Sequence, residues 1–318
     1  MMLMQKWAKT SAATQQFGVL LFDGFSTHCL ANTIEPLRAA NTLSGKTLYV
    51  WEFLTLGGQI AESSSGMQVT PHREISAAKG DVLAVMPSYG FEGHAGWVTQ
   101  MALRSASHRF KSLAGLDTGS WLFAEAELLD GYQATIHWEE LTGFAERFPE
   151  VDVVRERYVI DRDRITCSGA MAAFDLVLHI IGQDHGQALA LEVAQLFMTR
   201  DSARSHSGGA GSSSRVVNRS LAVMQENLEE PLSIAEIARR SGRTQKALEV
   251  RIRAELGATP QTVYRRLRLN LARKLVTETD LPVAEIALRA GYETPAAMTR
   301  AFKAEFDTTP RKIRKNSL

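Results

Sequence analysis

Two groups of side chains in this 318-residue sequence have types and spacings suited to chemistry. The first lies near the C-terminus. Arg243, Thr244, Gln245, Lys246, Glu249 and Arg253 fall at the start and along one face of an expected helix. Thr294, Pro295, Ala296, Thr299, Arg300 and Lys303 hold the matching places in a second. Gln can pair with adenine and Arg or Lys with guanine, so the first set suits base reading; the second leans on phosphate and methyl contacts. The other group lies in the N-terminal half. Asp117, Glu35 and Glu139 offer negative charge, and Tyr89, Trp121 and Trp138 offer aromatic faces, the combination that holds quaternary ammonium ions. Each residue also has a plainer reading, as a solvated or internally paired charge or, for Trp121 and Trp138, as ordinary core.

The elements that would position the first group occur twice. Leu232-Ser-Ile-Ala-Glu-Ile-Ala-Arg-Arg-Ser-Gly242 returns as Leu281-Pro-Val-Ala-Glu-Ile-Ala-Leu-Arg-Ala-Gly291, identical at seven of eleven positions. Ala235, Ile237 and Ala238 form an apolar stripe that Ala284, Ile286 and Ala287 repeat. Ser233 with Glu236 has capping-box spacing, and Pro282 stands where a first-turn proline is tolerated. Gly242 and Gly291 end the short helices at a position that favours positive φ. Thr244 and Thr294 can cap the helices that follow. Each copy is thus a helix-turn-helix whose second helix can enter a major groove. Between them, Pro260–Thr277 reads as one long helix, burying Tyr264, Leu267, Leu271 and Leu275 and turning Arg265, Arg268 and Lys274 outward. Held on it, the two reading helices would lie about 34 Å, or one DNA turn, apart.

Charge agrees with this reading. Residues 215–318 carry 20 Lys and Arg against 12 Asp and Glu; the whole chain has 36 against 35, leaving 16 against 23 before residue 215. A basic C-terminal third is thus joined to an acidic remainder, the footprint of phosphate binding. Ser205–Ser214, nine of whose ten residues are Ser, Gly or Ala, reads as a flexible linker between domains 1–204 and 215–318, with residues 1–15 a loose tail. The sequence has no apolar run long enough to span a bilayer and no signal-peptide pattern, and its two cysteines, Cys29 and Cys167, imply no disulfide framework. A cytoplasmic protein is expected. His28, His72, His94 and His108 lack metal-ligand spacing, and no metal or cofactor is expected.

In the N-terminal half, strands are expected at Phe17–Phe22, Trp51–Leu56, Asp81–Met86, Ser112–Leu116, Gln133–His137, Val151–Tyr158 and Arg164–Cys167. They alternate with helices at Thr27–Asn41, Gly96–Ala106, Trp121–Leu128, Ala170–Gly182 and Gly186–Met198. That alternation predicts an α/β fold, a doubly wound, mostly parallel sheet, followed by an all-α C-terminal domain. Ligands of such sheets bind beyond the strand carboxyl ends, here the turns after Phe22, Met86 and Leu116.

The C-terminal segments Leu232–Ala238, Leu256–Pro260, Leu267–Val276, Val283–Tyr292 and Arg300–Phe306 resemble the AraC/XylS-type DNA-binding domain. Asp307 and Met298 depart from it, where glycine and an aromatic are usual. Residues from about Phe17 to Met198 resemble the ThiJ/PfpI branch of the class I glutamine-amidotransferase-like fold, which is flavodoxin-like. Within it they resemble the sensor half of GlxA-type regulators, through Phe25-Ser26, Glu35–Asn41, Leu128–Gly131, Ala134–Trp138, Asp161–Gly169 and Asp184–Gly186. The resembling enzymes carry a cysteine nucleophile on the turn after the strand that ends here at Leu116; this chain has Asp117. His137 matches the family's later histidine but has no nucleophile to serve, and Thr118 offers only an unactivated hydroxyl. The resemblance therefore implies a non-enzymatic, ligand-responsive transcriptional regulator, an activator acting on promoter DNA with RNA polymerase, and dimeric on paired half-sites. Its nearest look is to regulators answering quaternary amines. The site then comprises Glu35, Tyr89, Asp117, Thr118, Trp121, His137, Trp138 and Glu139. The alternative is a DNA-associated amidotransferase or PfpI-like hydrolase.

Overall fold

The computed structural model describes residues 13–197 and 215–317. The expected linker at 205–214 lies outside them. Two compact units are present, one of Ser11–Thr42 with Lys46–Ile181 and one chiefly of Gly182–Leu318.

The first unit contains the strands β1 (Gln15–Leu21), β2 (Tyr49–Thr55), β3 (Ala61–Glu62), β4 (Gln68–Val69), β5 (Arg73–Glu74), β6 (Gly80–Met86), β7 (Phe110–Leu116), β8 (Gln133–Ala134), β9 (Asp152–Val153), β10 (Tyr158–Asp161) and β11 (Arg164–Cys167). Its helices are α1 (Thr27–Ser44), α2 (Trp97–Ser107), α3 (Gly119–Glu125) and α4 (Leu141–Arg147), and α5 (Ala170–His185) begins here. Seven strands make one sheet in the order β10-β11-β7-β6-β1-β2-β5. Every neighbouring pair is parallel except the edge pair β10–β11. Leu20, Leu83, Val85 and Leu113 share one core with Leu103, Leu122 and Phe123 of α2 and α3. By strand alternation Val19, Leu21, Ala84 and Met86 face the other side, and they too are buried, as expected of a sheet covered on both faces.

Two expected strands are shorter than their apolar content suggested. Of Gln133–His137 only Gln133–Ala134 pairs, and Val151–Tyr158 splits into β9 and the start of β10. The intervening residues spend their polar groups elsewhere: Thr135 N–H donates to Thr166 Oγ1 and its hydroxyl to the Glu156 carbonyl. At the other end, Gln15 already belongs to β1 rather than to a tail.

β1 lies between β6 and β2, because the chain first builds outward to β5 and then returns to build β6, β7 and β11 on the other side. That is the topological switch point, where the loops after adjacent strands diverge and leave room for a ligand. Here the loops after β1 and β6 are joined: Tyr89 N–H donates to the Gly24 carbonyl at 3.3 Å. Gly24 has φ +85°, and a Cβ there would sit 2.7 Å from the Tyr89 carbonyl oxygen, so this approach requires glycine.

The second unit is helical: α6 (Gln187–Phe197), α7 (Arg215–Glu226), α8 (Ile234–Arg240), α9 (Gln245–Leu256), α10 (Pro260–Glu278), α11 (Val283–Arg289), α12 (Pro295–Phe306) and α13 (Pro310–Ser317). Thr244 and Thr294 cap α9 and α12 as their sequence positions predict, and Thr259 caps α10 in the same way. Two cores form along α10. Its N-terminal half gives Val263, Tyr264 and Leu267 to a core shared with α7, α8 and α9. Its C-terminal half gives Leu269, Ala272 and Val276 to a core with α11 and α12. The expected stripe is thereby corrected, since Leu271 and Leu275 are only half-buried. A helix serving two cores must present two faces, and no single stripe can describe it.

Candidate ligand site and DNA-reading surface

The turn after β7 is sharp. Asp117 has φ +63°, a left-handed conformation that costs a non-glycine residue roughly 1–2 kcal/mol. Its backbone is pinned by His137 N–H, which donates to the Asp117 carbonyl at 3.0 Å. The half-buried Asp117 side chain has no hydrogen bond or ion pair among the described residues. A strained, unpaired acid at a strand end is the pattern of a site rather than of a scaffold.

Linear distance hid what surrounds it. Cys167 ends β11 in register with Leu116, and Cys29 lies in the first turn of α1. Both thiols are fully buried, and both sit close enough to feel the Asp117 charge. Burial is the main cause that raises each pKa, with Asp117 adding to it, and Cys167 is pushed up to about 12. They are neutral thiols beneath the elbow, not thiolates on it, and poor nucleophiles for that reason. Cys167 donates its thiol hydrogen to the Gly169 carbonyl.

The other expected ligand residues fall in different settings. His137, Trp138 and Glu139 stay together: His137 Nδ1 is 3.7 Å from Glu139 Oε2, and the His137 and Trp138 rings are 5.8 Å apart. Trp138 is 67% exposed, so its ring is available to a ligand, as is that of Tyr89 on the joined loops of β1 and β6. Thr118 is buried and donates its hydroxyl to the Ser88 carbonyl at 2.8 Å, which leaves it a brace between loops. Trp121 packs among Phe91, Phe144 and Phe148, with its ring centroid 5.2–6.0 Å from theirs. Glu35 is held by Arg38 one turn along α1. Ser88, with φ +52°, lies beside the candidate site and was not singled out by the sequence; its hydroxyl accepts from Ser26 N–H and ties the β6 turn to the start of α1.

On the helical unit, the face of α9 away from Leu248, Ile252 and Leu256 is open to solvent. Lys246 and Arg253 are exposed on it with no ion pair among the described residues. Gln245 donates to Glu249 at 2.8 Å, so those two would have to part to read bases. Arg243 Nη1 donates to the Gly242 carbonyl. In α12 the residues Thr294, Pro295, Ala296, Arg300 and Lys303 are exposed, Thr299 is half-buried, and Met298 and Phe302 are fully buried. Met298, the departure from the expected aromatic, thus fills the second core.

Arg268 corrects an expectation. It does not turn outward: its Nε donates to the Ala290 carbonyl at 2.8 Å, its Nη2 to Gly291, and its guanidinium stacks on Tyr292 at 4.3 Å. Two donors aimed at two turn carbonyls, with the ring of Tyr292 beneath, outcompete solvent, a pairing that helix periodicity cannot show. Arg265 and Lys274 are exposed, as expected. Tyr264 plays the corresponding part in the first unit, its hydroxyl donating to the Asn227 carbonyl and accepting from Leu232 N–H.

An α/β unit carrying an acid on its elbow, followed by paired helix-turn-helices, defines a class, and comparison with known proteins agrees. The chain belongs to the AraC-type helix-turn-helix transcriptional regulators of the GlxA, CdhR and GbdR kind, and it is a DNA-binding regulator of transcription. Residues 237–316 match the family described as "Helix-turn-helix domain". The chain is 36% identical over 307 residues to the HTH-type transcriptional regulator CdhR of Pseudomonas aeruginosa, covering 93% of this chain and 90% of that protein. It is 31% identical over 328 residues to the regulator GlxA of Rhizobium meliloti, covering 96% and 98%. In fold, it is similar to a ThiJ/PfpI family protein from Pseudomonas syringae, with a TM-score of 0.52 at 18% identity over 72% of this chain and 89% of that one. Among the described residues no helix is long and apolar enough to cross a membrane, and no cluster of His, Cys, Asp or Glu could hold a metal ion.

Proposed function

We propose that residues 1–204 form a catalytically idle sensor that binds a small cationic metabolite of the quaternary-amine type at Asp117. Residues 215–318 then read promoter DNA as a cytoplasmic, homodimeric activator that works with RNA polymerase. The observation that carries the ligand class is the unpaired, half-buried Asp117 carboxylate, with the Tyr89 ring exposed after the neighbouring strand β6 and the Trp138 ring exposed next to His137, whose N–H bonds the Asp117 carbonyl. A carboxylate beside aromatic faces favours a cation whose methyl groups cannot donate hydrogen bonds. Idleness is supported by the same residue. The elbow holds an acid where a nucleophile would stand, and the two thiols beneath it are kept neutral by burial.

Titration calorimetry of the full chain with glycine betaine and with carnitine tests this reading. Binding of at least one is expected, together with a loss of about tenfold or more in affinity for Asp117→Asn, the scale of one buried charge contact. Unchanged affinity in that variant, or a preference for anionic metabolites, would overturn the assignment.

A further inference from the structure

Glu192 lies on α6, before the basic segment and outside the matched helix-turn-helix residues 237–316. Its side chain is 8% exposed and stands 2.6 Å from Arg266 Nε, while Oε2 accepts from Asn270 Nδ2 at 3.0 Å. Burial raises its pKa, and the charges of Arg266 and Arg273 with the Asn270 bond pull the other way. Both arginines belong to α10, two turns apart, and both continue to α12. Arg266 Nη1 is 3.2 Å from Glu305 Oε1, and the Arg273 guanidinium lies over the Phe306 ring at 4.9 Å. Glu305 and Phe306 are the last residues of the second reading helix.

We infer that Glu192 is a positioning residue for that helix. It neutralises Arg266 and Arg273 so that both can stay inward and clamp the C-terminal end of α12. Two half-buried cations on one helix face repel each other, and when the Glu192 charge is removed they gain by turning toward solvent, loosening Glu305 and Phe306. α6 is also seated on the reader elsewhere: Leu191 packs against the first core, and Gln195 accepts from Gln225 at 2.7 Å. The acid that steadies α12 therefore comes from a helix that the sequence assigns to the sensor. The chain also links it to the elbow. α6 follows α5, whose first residues come directly after Gly169, the neighbour of His137. The inference stands on the helical unit alone and does not depend on what Asp117 binds.

The test uses the full chain and its Glu192→Ala and Glu192→Gln variants. Amide hydrogen exchange is measured, along with affinity for a duplex that the unaltered chain selects from a random-sequence pool. Exchange across α12 is expected to quicken about tenfold while α8 and α9 keep their protection. Base changes under α12 should lose their effect on affinity, whereas changes under α9 cost what they cost in the unaltered chain. Equal quickening in α9 and α12, or no change across α12, overturns the inference. Should the alanine variant lose helix throughout, the glutamine variant, of nearly equal volume, is judged by the same two readouts.

Discussion

In the first helix-turn-helix the turn glycine, Gly242, faces open space; in the second, its counterpart Gly291 is pressed against the chain that enters the first. Both have nearly the same backbone, φ +72° and +71°. The opening stretches are closely alike, yet almost everything that closes the two units differs. Ser233 caps α8, whereas Pro282 at the same place offers no side-chain bond to α11. Tyr264 braces the entrance of the first unit, and Arg268 braces the turn of the second. A glycine ends α9 in the left-handed conformation, and an aspartate ends α12. A duplicated motif preserves its backbone path while each copy recruits whatever neighbours its location provides.

The widest gap between the copies should appear on substituting the two glycines. Gly242→Ala meets no atom within 4 Å and pays only for the left-handed backbone, about 1 kcal/mol. Gly291→Ala places its Cβ 2.5 Å from Pro231 Cγ and against the Leu228 carbonyl, where backbone has to move. Its loss should exceed about 3 kcal/mol and include the first unit's entrance, since Leu228 and Pro231 lie there. Urea unfolding followed by helical circular dichroism gives the two values; equal losses would show that the packing of the second turn contributes nothing.

Why one glycine is open and the other closed could not be read from the chain. The sequence displayed the repeat, the capping residues and the positive φ of both glycines, because each depends on neighbours within a few positions. It displayed the parallel sheet for the same reason, through apolar runs such as Asp81–Met86 that can only be buried strands. The misses are contacts between distant segments. Arg268 finding Ala290, Cys29 coming within range of the Asp117 charge, and Thr118 spending its hydroxyl on Ser88 all cross more than twenty residues. Glu236 marks a subtler limit. Its spacing from Ser233 predicts a reciprocal capping box, and Ser233 does accept from Glu236 N–H at 3.2 Å. The carboxylate, however, binds Arg239 and Arg240, charged partners that a capping pattern does not weigh.

A smaller effect, of opposite sign, is expected at the helix ends. Asp307 closes α12 with φ +55°, the role that Gly257 fills in α9 with φ +67°. Glycine takes this conformation without steric cost, so Asp307→Gly should stabilise the second unit by about 0.5–1 kcal/mol. Gly257→Asp should cost the first unit a similar amount, about 1 kcal/mol. Melting curves of the two variants decide it. A loss of stability in Asp307→Gly would mean that the aspartate side chain contributes more than its backbone strain removes.

The smallest contrast is electrostatic. Glu236 accepts hydrogen bonds from both Arg239 and Arg240, at 2.7–2.8 Å, and those bonds hold its pKa down to about 2. The second unit has Leu288 where the first has Arg239, so among the described residues Glu285 pairs with Arg289 alone. The carboxyl of Glu236 should therefore titrate well below the ordinary 4.5 when followed by side-chain carboxyl resonances. Because its folded pKa is depressed, the stability it adds is fully present above about 4.5 and disappears as the pH falls through about 2. Arg239→Leu copies the second unit into the first and should move the titration back toward 4.5. The pair is exposed, so global stability at neutral pH should hardly change. A Glu236 resonance that titrates near 4.5 in the unaltered chain would mean that the two arginines do not hold it in solution, and that the copies do not differ in charge pairing at this position.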